Sequence, residues 1–363
     1  MNIAHITEST SNSGGVEQAI LLIKGLRKNG HNITLITQPE SQISQRLANS
    51  GIKIRTLRMR QDYDILSALT LRNILKHENI DILHAHHPRA HAIGLMATLG
   101  LPNIKFVVTR RVIFNLRNNI FSRLKYKVKR IDKFVVVSKA IEKDFLDYGV
   151  SPKILEVIYN VTDTGRFNPG IRSDIRRELR ISDTDFVVSL LGNYSFYKGH
   201  TFLLEAIPAV LKSFPSVKFI FAGKVPDKVT NLSGKLNVGN SVFFLGFRSD
   251  VPEILKASDL LVCPSTMEGL AGSLIEAMAM KLPTVATNVG GNSEIVKHNE
   301  TGILIPPGNV KAISDAISYI IENPNIAKKM GEEGSRVVKK TFSVETMISK
   351  HEKLYAELLG EPC

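Results

Sequence analysis

"PSTMEGLAGSLIEAMAM", residues 264–280, carries two glutamates, Glu268 and Glu276, in contrasting surroundings. It follows the apolar run Leu260, Leu261 and Val262 and opens on a Pro-Ser turn, and its second half is rich in Ala and Met. The pattern predicts a buried strand, a turn and a helix. Glu268 then lies at the lip of the strand and Glu276 two turns into the helix. In open α/β sheets ligands bind at the carboxyl ends of strands. Gly269, Leu270, Ala271 and Gly272, which follow the first glutamate, offer backbone N–H groups at the helix mouth, where an anionic phosphate can sit. Glu268 can accept hydrogen bonds from sugar hydroxyls and Glu276 from those of a ribose. Two ordinary surface glutamates are the competing reading.

Working outward, short apolar runs alternate with helix-length amphipathic stretches. "IAHIT", "NITLIT", "IKIRTL", "DILHA", "IKFVVT" and "KFVVVS" form a first set of strands. "DFVVSLLGN", "VKFIFAG", "SVFFLG", "DLLVCPS", "PTVAT" and "GILIP" form a second. Strands alternating with helices predict parallel α/β layers. Continuous apolar strands such as Val135, Val136 and Val137 suit a sheet covered on both faces. The alternation pauses in the polar stretch "YNVTDTGRFNPGIRSD", residues 159–174, which reads as a linker. At 363 residues the chain suits two domains, here 1–166 and 167–342. The helix from Ser343, with Glu345 in its first turn, has no strand of its own to cover, so 343–363 is expected to return to the first domain.

Composition narrows the functional classes. Two cysteines, Cys263 and Cys363, are too few for a disulfide framework or a metal cluster. "MNIAHITEST" is a strand start and not a signal peptide, and no apolar run reaches the ~20 residues needed to span a bilayer. A cytoplasmic location is expected. The net charge is +13, which attracts nucleic acid, anionic lipid or phosphorylated small molecules. No aromatic platform or reading motif supports nucleic acid.

Three further motifs carry chemistry. "SNSGGVEQA", residues 11–19, puts Gly14 and Gly15 at a strand-to-helix turn, where paired glycines admit a ligand to the backbone. It lacks the full dinucleotide fingerprint, and a plain turn is the competing reading. "LLGNYSFYKGH", residues 190–200, runs from a strand through Gly192 and Asn193 to Lys198 at a helix start, an arrangement suited to a diphosphate. Gly223 and Arg248, near strand ends of the second set, join the same candidate group. "DILHAHHPRAHA", residues 81–92, crowds His84, His86, His87 and His91 at a strand end. No cysteine or carboxylate completes a ligand pattern, so no metal is assigned. A histidine that contacts substrate and a histidine that packs in the core both remain open, with His84 and His86 as the candidates.

Taken together, these motifs resemble retaining nucleotide-sugar glycosyltransferases of family 4. The resemblance runs along nearly the whole chain. Its most specific part is "PSTMEGLAGSLIEAMAMKLPTVATNVGGNSEIV", preceded by "FLGFRSDVPEILKASDLLVCPS"; "VIYNVTDTGRF" resembles the family's interdomain segment. The resemblance implies the GT-B fold, with two Rossmann-like domains facing each other across a cleft, the first acceptor-side and the second donor-binding. It implies that Glu268 lies beside the donor sugar and Glu276 beside the nucleotide ribose. It also implies transfer of a hexose-type sugar with retention, from a UDP-linked or other nucleoside-diphosphate sugar, with no metal and no further cofactor. Lys198, the Gly14-Gly15 backbone and the N–H groups after Glu268 are then the candidates for stabilising the leaving diphosphate.

Some positions depart from the family pattern. Asn193 stands where an arginine is expected, Ala271 and Gly272 replace a usual Gly-(Leu/Met), Val161 replaces an interdomain glycine, and Arg111 falls where many members carry a histidine. Arg110 or Arg111 is expected to supply the missing cation or to hold a phosphorylated acceptor. The stretch "TRRVIFNLRNNIFSRLKYKVKR", residues 109–130, is basic and has no Asp or Glu. Leu116, Ile120, Leu124 and Val128 recur every four residues in it. A core stripe with a solvated basic face is one reading. The other is a face that meets anionic headgroups on the inner leaflet, which points to a lipid-linked, lipopolysaccharide or polysaccharide acceptor. The alternatives are a nucleotide-sugar-dependent synthase or phosphorylase acting on a soluble sugar, and a nucleotide-binding module without catalysis.

Overall fold

The computed structural model of the chain describes residues 1–11, 13–111 and 125–361. The chain divides into two compact units, Met1–Asn160 with Val344–Cys363 and Val161–Ser343. The crossing comes six residues before the expected 166/167. The cause is local: the Thr162 N–H donates to the Phe342 carbonyl at 3.0 Å, and Thr162 bridges to Ser343, so the chain from Val161 onward is tied to the end of the second unit.

The N-terminal unit holds a seven-stranded sheet in the order β3-β2-β1-β4-β5-β6-β7. Its strands are β1 Asn2–Thr7, β2 Asn32–Thr37, β3 Lys53–Thr56, β4 Ile82–Ala85, β5 Lys105–Arg110, β6 Lys133–Val136 and β7 Leu155–Val157. All pairings are parallel, and one row runs from His5 through His84 to Val107. The β6 residues Phe134, Val135 and Val136 are buried, as expected for a strand covered on both faces. Helix Gly14–Lys28 starts on an N-cap, the Ser13 hydroxyl accepting from the Val16 N–H. The last helix, Val344–Leu359, belongs to this unit and packs on Gly14–Lys28. Gly25 makes the approach possible, since a Cβ there would lie 1.9 Å from Ile348 Cδ1.

The C-terminal unit holds six parallel strands in the order β10-β9-β8-β11-β12-β13: β8 Val187–Leu191, β9 Lys218–Ala222, β10 Val242–Gly246, β11 Leu260–Cys263, β12 Thr284–Thr287 and β13 Ile303–Ile305. Val188, Leu190, Phe219 and Phe221 from the sheet pack with Leu203, Ile207 and Ile317 from the helices. Each such side chain contributes about 1.5–3 kcal/mol by leaving water. The strand order turns at β8 and β11, whose carboxyl ends carry the Lys198 and Glu268 loops. That is the position where such sheets bind ligands.

Among the described residues no helix is long and apolar enough to cross a membrane.

Candidate functional site

In the C-terminal unit two loops separated by about seventy residues of chain meet after β8 and β11. Gly199 is the N-cap of helix His200–Ser213 and has φ +72°. A Cβ at this position would lie 2.0 Å from the Pro264 carbonyl oxygen, so only glycine lets the helix start press against the Pro264 loop. The Thr266 N–H donates to the Tyr197 carbonyl at 2.7 Å across the same junction. This seats the Lys198 ammonium on the Glu268 carboxylate, Nζ to Oε1 2.5 Å. The Ser265 hydroxyl donates to the same oxygen at 2.8 Å.

Glu268 is buried. Burial works against the charge on Lys198, but the Glu268 carboxylate outweighs it and holds the ammonium pKa above its usual value. Burial, reinforced by Glu268, pushes the Cys263 thiol up to about 11, which keeps it protonated and inert at neutral pH.

Leu270 and Ala271 are buried under the turn, and Ala271 begins helix Gly272–Ala279 without a side-chain cap. Gly269 is fixed through its carbonyl, which accepts from the Gly291 N–H at 3.1 Å. Glu276 is half-buried on the same helix. The adjoining turns after β8 and β9 are equally tight: a Cβ on Gly223 would lie 2.2 Å from the Gly192 carbonyl oxygen, and both glycines have positive φ. The His200 ring meets that Gly192 carbonyl through Nε2 at 3.1 Å.

Two donor-side candidates are occupied structurally. The Asn193 side-chain oxygen accepts from the Lys224 N–H at 2.9 Å. Arg248 is clamped between Glu178 and Asp250, and these two carboxylates raise its pKa further. Its role is to join the segment at Glu178 to the start of helix Val251–Ala257.

In the N-terminal unit a second group forms where β1, β4 and β5 end. A Cβ on Gly15 would stand 3.4 Å from His87 Nε2 and 3.6 Å from Arg111 Cδ. The start of helix Gly14–Lys28, the His87 imidazole and the aliphatic stem of Arg111 therefore converge. His87 is held through Nδ1 by the Thr7 hydroxyl at 2.7 Å. Burial, then Arg111 and Arg110, lower its pKa to about 4, so it is neutral at physiological pH. Arg111 donates to the His86 carbonyl and to His86 Nδ1, both at 3.3 Å, and forms no ion pair among the described residues.

Two expectations are corrected. His84 does not face a ligand: it is fully buried, with Nδ1 on the Tyr355 hydroxyl and Nε2 on the Thr109 hydroxyl, each at 2.6 Å. Arg110 is also buried, stacked over the Tyr126 ring. Neighbouring residues at a strand end point to opposite faces, so Arg110 turns to Tyr126 and Arg111 to His86 and Gly15. His86 is buried behind Arg111 and supports it. His87, named in the histidine-rich stretch but not among the candidates, takes the forward position. The available signal was its place two residues beyond the carboxyl end of β4.

One ring nitrogen each of His5, His84 and His86 lies within 4.8 Å of the others, the spacing of a possible metal cluster. Both His84 nitrogens are bonded to hydroxyls, His5 Nδ1 is bonded to His86 Nε2 at 2.9 Å, and the Arg111 charge beside His86 opposes a cation.

Of the basic stretch 110–130, residues 112–124 lie outside the described residues, and with them Leu116, Ile120 and Leu124 of the proposed stripe. Among those described, Lys125 pairs with Asp62, Lys127 lies over the Tyr148 ring, and Arg130 donates to the Thr98, Leu101 and Ile104 carbonyls and to Asp132. These three are engaged within the unit.

Each unit is a parallel, Rossmann-like sheet with a group of polar residues at the carboxyl ends of its strands, and comparison with known proteins identifies the family. Residues 13–166 match Glycosyltransferase Family 4 and residues 171–337 match Glycosyl transferases group 1. The chain belongs to the family 4 glycosyltransferases and has the GT-B fold. It is 30% identical over 295 residues, 79% of this chain and 78% of the other, to an uncharacterized glycosyltransferase of Methanocaldococcus jannaschii. It is 25% identical to the N-acetyl-alpha-D-glucosaminyl L-malate synthase of Bacillus anthracis over 307 residues, 82% of this chain and 80% of that one. It is also 25% identical to the Escherichia coli UDP-Gal:alpha-D-GlcNAc-diphosphoundecaprenol alpha-1,3-galactosyltransferase over 312 residues, again 82% and 80%. The structure of Anabaena HepE in complex with UDP superposes with a TM-score of 0.88 at 21% identity, covering 98% of this chain and 100% of that one.

Proposed function

We propose that this glycosyltransferase moves a hexose-type sugar from a UDP-linked donor to a lipid-linked or polysaccharide acceptor, with retention of anomeric configuration. The observation that carries the reading is the Lys198–Glu268–Ser265 assembly at the carboxyl edge of β8 and β11, next to the uncapped helix that carries Glu276. In this reading the C-terminal unit binds the donor. Glu276 accepts hydrogen bonds from the ribose hydroxyls. The N–H groups of the Leu270–Gly272 turn face the diphosphate. Lys198 supplies the positive charge there, and no metal is needed.

Glu268 Oε1 is taken by Lys198 and Ser265, which leaves Oε2 for a hydroxyl of the transferred sugar. As the bond from the anomeric carbon to the diphosphate oxygen breaks, the sugar gains oxocarbenium character and negative charge grows on the leaving oxygen. Preorganised donors stabilise that charge without reorganising. The acceptor hydroxyl bonds to the anomeric carbon on the face the diphosphate leaves, and its proton passes to the diphosphate. Arg111, His87 and the Gly14-Gly15 turn form a substrate-anion group on the N-terminal unit.

The UDP in the HepE complex and the UDP-Gal and diphosphoundecaprenol in the printed name of the E. coli relative support the donor and acceptor classes. A lipid-linked acceptor would place the enzyme at the inner face of the cytoplasmic membrane, with anionic lipid met by residues of the basic stretch 110–130 other than Arg110, Lys125, Lys127 and Arg130, which are engaged within the unit. A soluble acceptor is the second reading, favoured by the malate in the name of the B. anthracis relative.

A thermal-shift screen of uridine, guanosine and adenosine diphosphates and their sugars tests the donor. A ligand at ~100 times its dissociation constant stabilises by about 2.7 kcal/mol. Stabilisation by uridine compounds is expected, and none by any nucleotide contradicts the reading. Flotation with anionic vesicles separates the lipid from the soluble acceptor.

A further inference from the structure

Behind Arg111 lies a chain of imidazoles whose proton positions the geometry fixes. Guanidinium groups only donate hydrogen bonds. Because Arg111 Nη2 meets His86 Nδ1, that nitrogen carries no proton. A neutral imidazole has one N–H, so His86 carries it on Nε2. His86 Nε2 lies 2.9 Å from His5 Nδ1, so His86 donates and His5 accepts. The His5 proton must then sit on Nε2, which is buried and has no hydrogen-bond partner. Both rings are neutral, since burial lowers the His5 pKa to about 3 and holds that of His86 well below its usual value.

A leucine at position 5 would avoid the unsatisfied donor, and a buried donor without a partner calls for a reason. The reason available here is the acceptor that His5 offers to His86. Without it the His86 ring could rotate and present a different atom to Arg111.

We infer that His5 is a positioning residue: its Nδ1 fixes the His86 ring, and His86 in turn holds the Arg111 guanidinium, whose aliphatic stem lies beside Gly15 at the start of helix Gly14–Lys28. His5 touches no substrate and acts through two other side chains. The inference rests on the reading of Arg111 as part of a substrate-anion group.

The test uses the full-length protein and two conservative choices. In His5→Leu the acceptor is lost. In His5→Asn the side-chain oxygen takes the place of Nδ1. His5→Leu is expected to lower kcat/KM for transfer from the donor identified in the screen by about tenfold or more, the scale seen when a group that orients a functional residue is removed. His5→Asn should recover most of that loss.

In an Arg111→Gln background His5→Leu should add little, because the residue it positions is gone. Additive losses, or His5→Leu with unchanged kinetics, would overturn the proposal. Nitrogen-15 NMR of the histidines supplies a readout independent of activity. His5 and His86 are expected as Nε2–H tautomers at neutral pH, and the Nδ1–H tautomer of His86 would also overturn it. If the wild type neither binds nucleotide nor transfers sugar, the functional reading fails, while the tautomers still decide whether the chain of imidazoles is built as described. Should His5→Leu not fold, the His5→Asn kinetics and the wild-type tautomers carry the test.

Discussion

Both units end a parallel strand in a glycine-bearing turn and begin a helix beside a cation, yet they treat that cation in opposite ways. In the C-terminal unit Lys198 is matched by Glu268 at 2.5 Å, so its charge is neutralised before any ligand arrives. In the N-terminal unit Arg111 contacts a carbonyl and an imidazole and has no carboxylate partner among the described residues. Burial lowers the Arg111 pKa to about 10, which leaves it charged at neutral pH, and burial keeps the histidines around it neutral. The same framework thus yields a self-neutralised site and a standing positive one. The integrity of the first depends on both partners. The second depends on its histidines staying neutral.

The largest effect is expected from breaking the matched pair. Lys198→Ala should lower kcat for transfer by about 10²–10³, the scale for losing one preorganised charge-stabilising group. It should also lower the melting temperature, because a buried carboxylate is left with Ser265 alone. Adding Glu268→Gln should restore much of the melting temperature but not the activity. Steady-state kinetics and calorimetric melting of the two variants separate the electrostatic role from the structural one.

Acid should distinguish the units next. An unfolded histidine titrates near 6.5, whereas His5 titrates at about 3 and His87 and His351 at about 4 in the N-terminal unit. Between these values and 6.5 the unfolded chain binds more protons than the folded one, so stability falls as pH falls. His84, His86 and His91 shift in the same direction in that unit, while in the C-terminal unit only His200, at about 4, does so among the described residues. Hydrogen-exchange protection, corrected for intrinsic rates, should drop more in β1, β4 and β5 than in β8 and β11 between pH 7.5 and 5. Equal loss in the two sheets would remove the contrast.

The smallest effect is expected at Asn193. Asn193→Arg places a second cation near Lys198 but gives up the bond to the Lys224 N–H. Affinity for uridine diphosphate should rise by about two- to fivefold, the value of one exposed charge contact, while the melting temperature falls slightly. An unchanged affinity would place position 193 away from the phosphates.

Much of this arrangement is legible in the chain because the deciding signals are local. Strand, turn and helix at Glu268 and Glu276 lie within one stretch, and the glycines at 192, 199 and 223 mark the close approaches that the structure contains. The contacts that set the electrostatics are not local. Lys198 and Glu268 meet across 70 residues and His5 and His86 across 81, and no periodicity reports such a pairing. Alternation along β4 correctly groups His84 with His86, but it does not reveal that their shared face is closed by Tyr355 from the last helix. The linker composition suggests a boundary region, and only the bond from Thr162 to Phe342 fixes where the chain changes unit.

The central claim is that the C-terminal unit holds a nucleoside diphosphate through the helix that carries Glu276, and calorimetric titration of uridine diphosphate into wild type and Glu276→Ala tests it most directly. Loss of charge-assisted hydrogen bonds to the ribose, worth about 1.5–3 kcal/mol, should weaken binding roughly ten- to a hundredfold with the fold intact. Equal affinity in the two proteins would contradict the claim and remove Glu276 from the site.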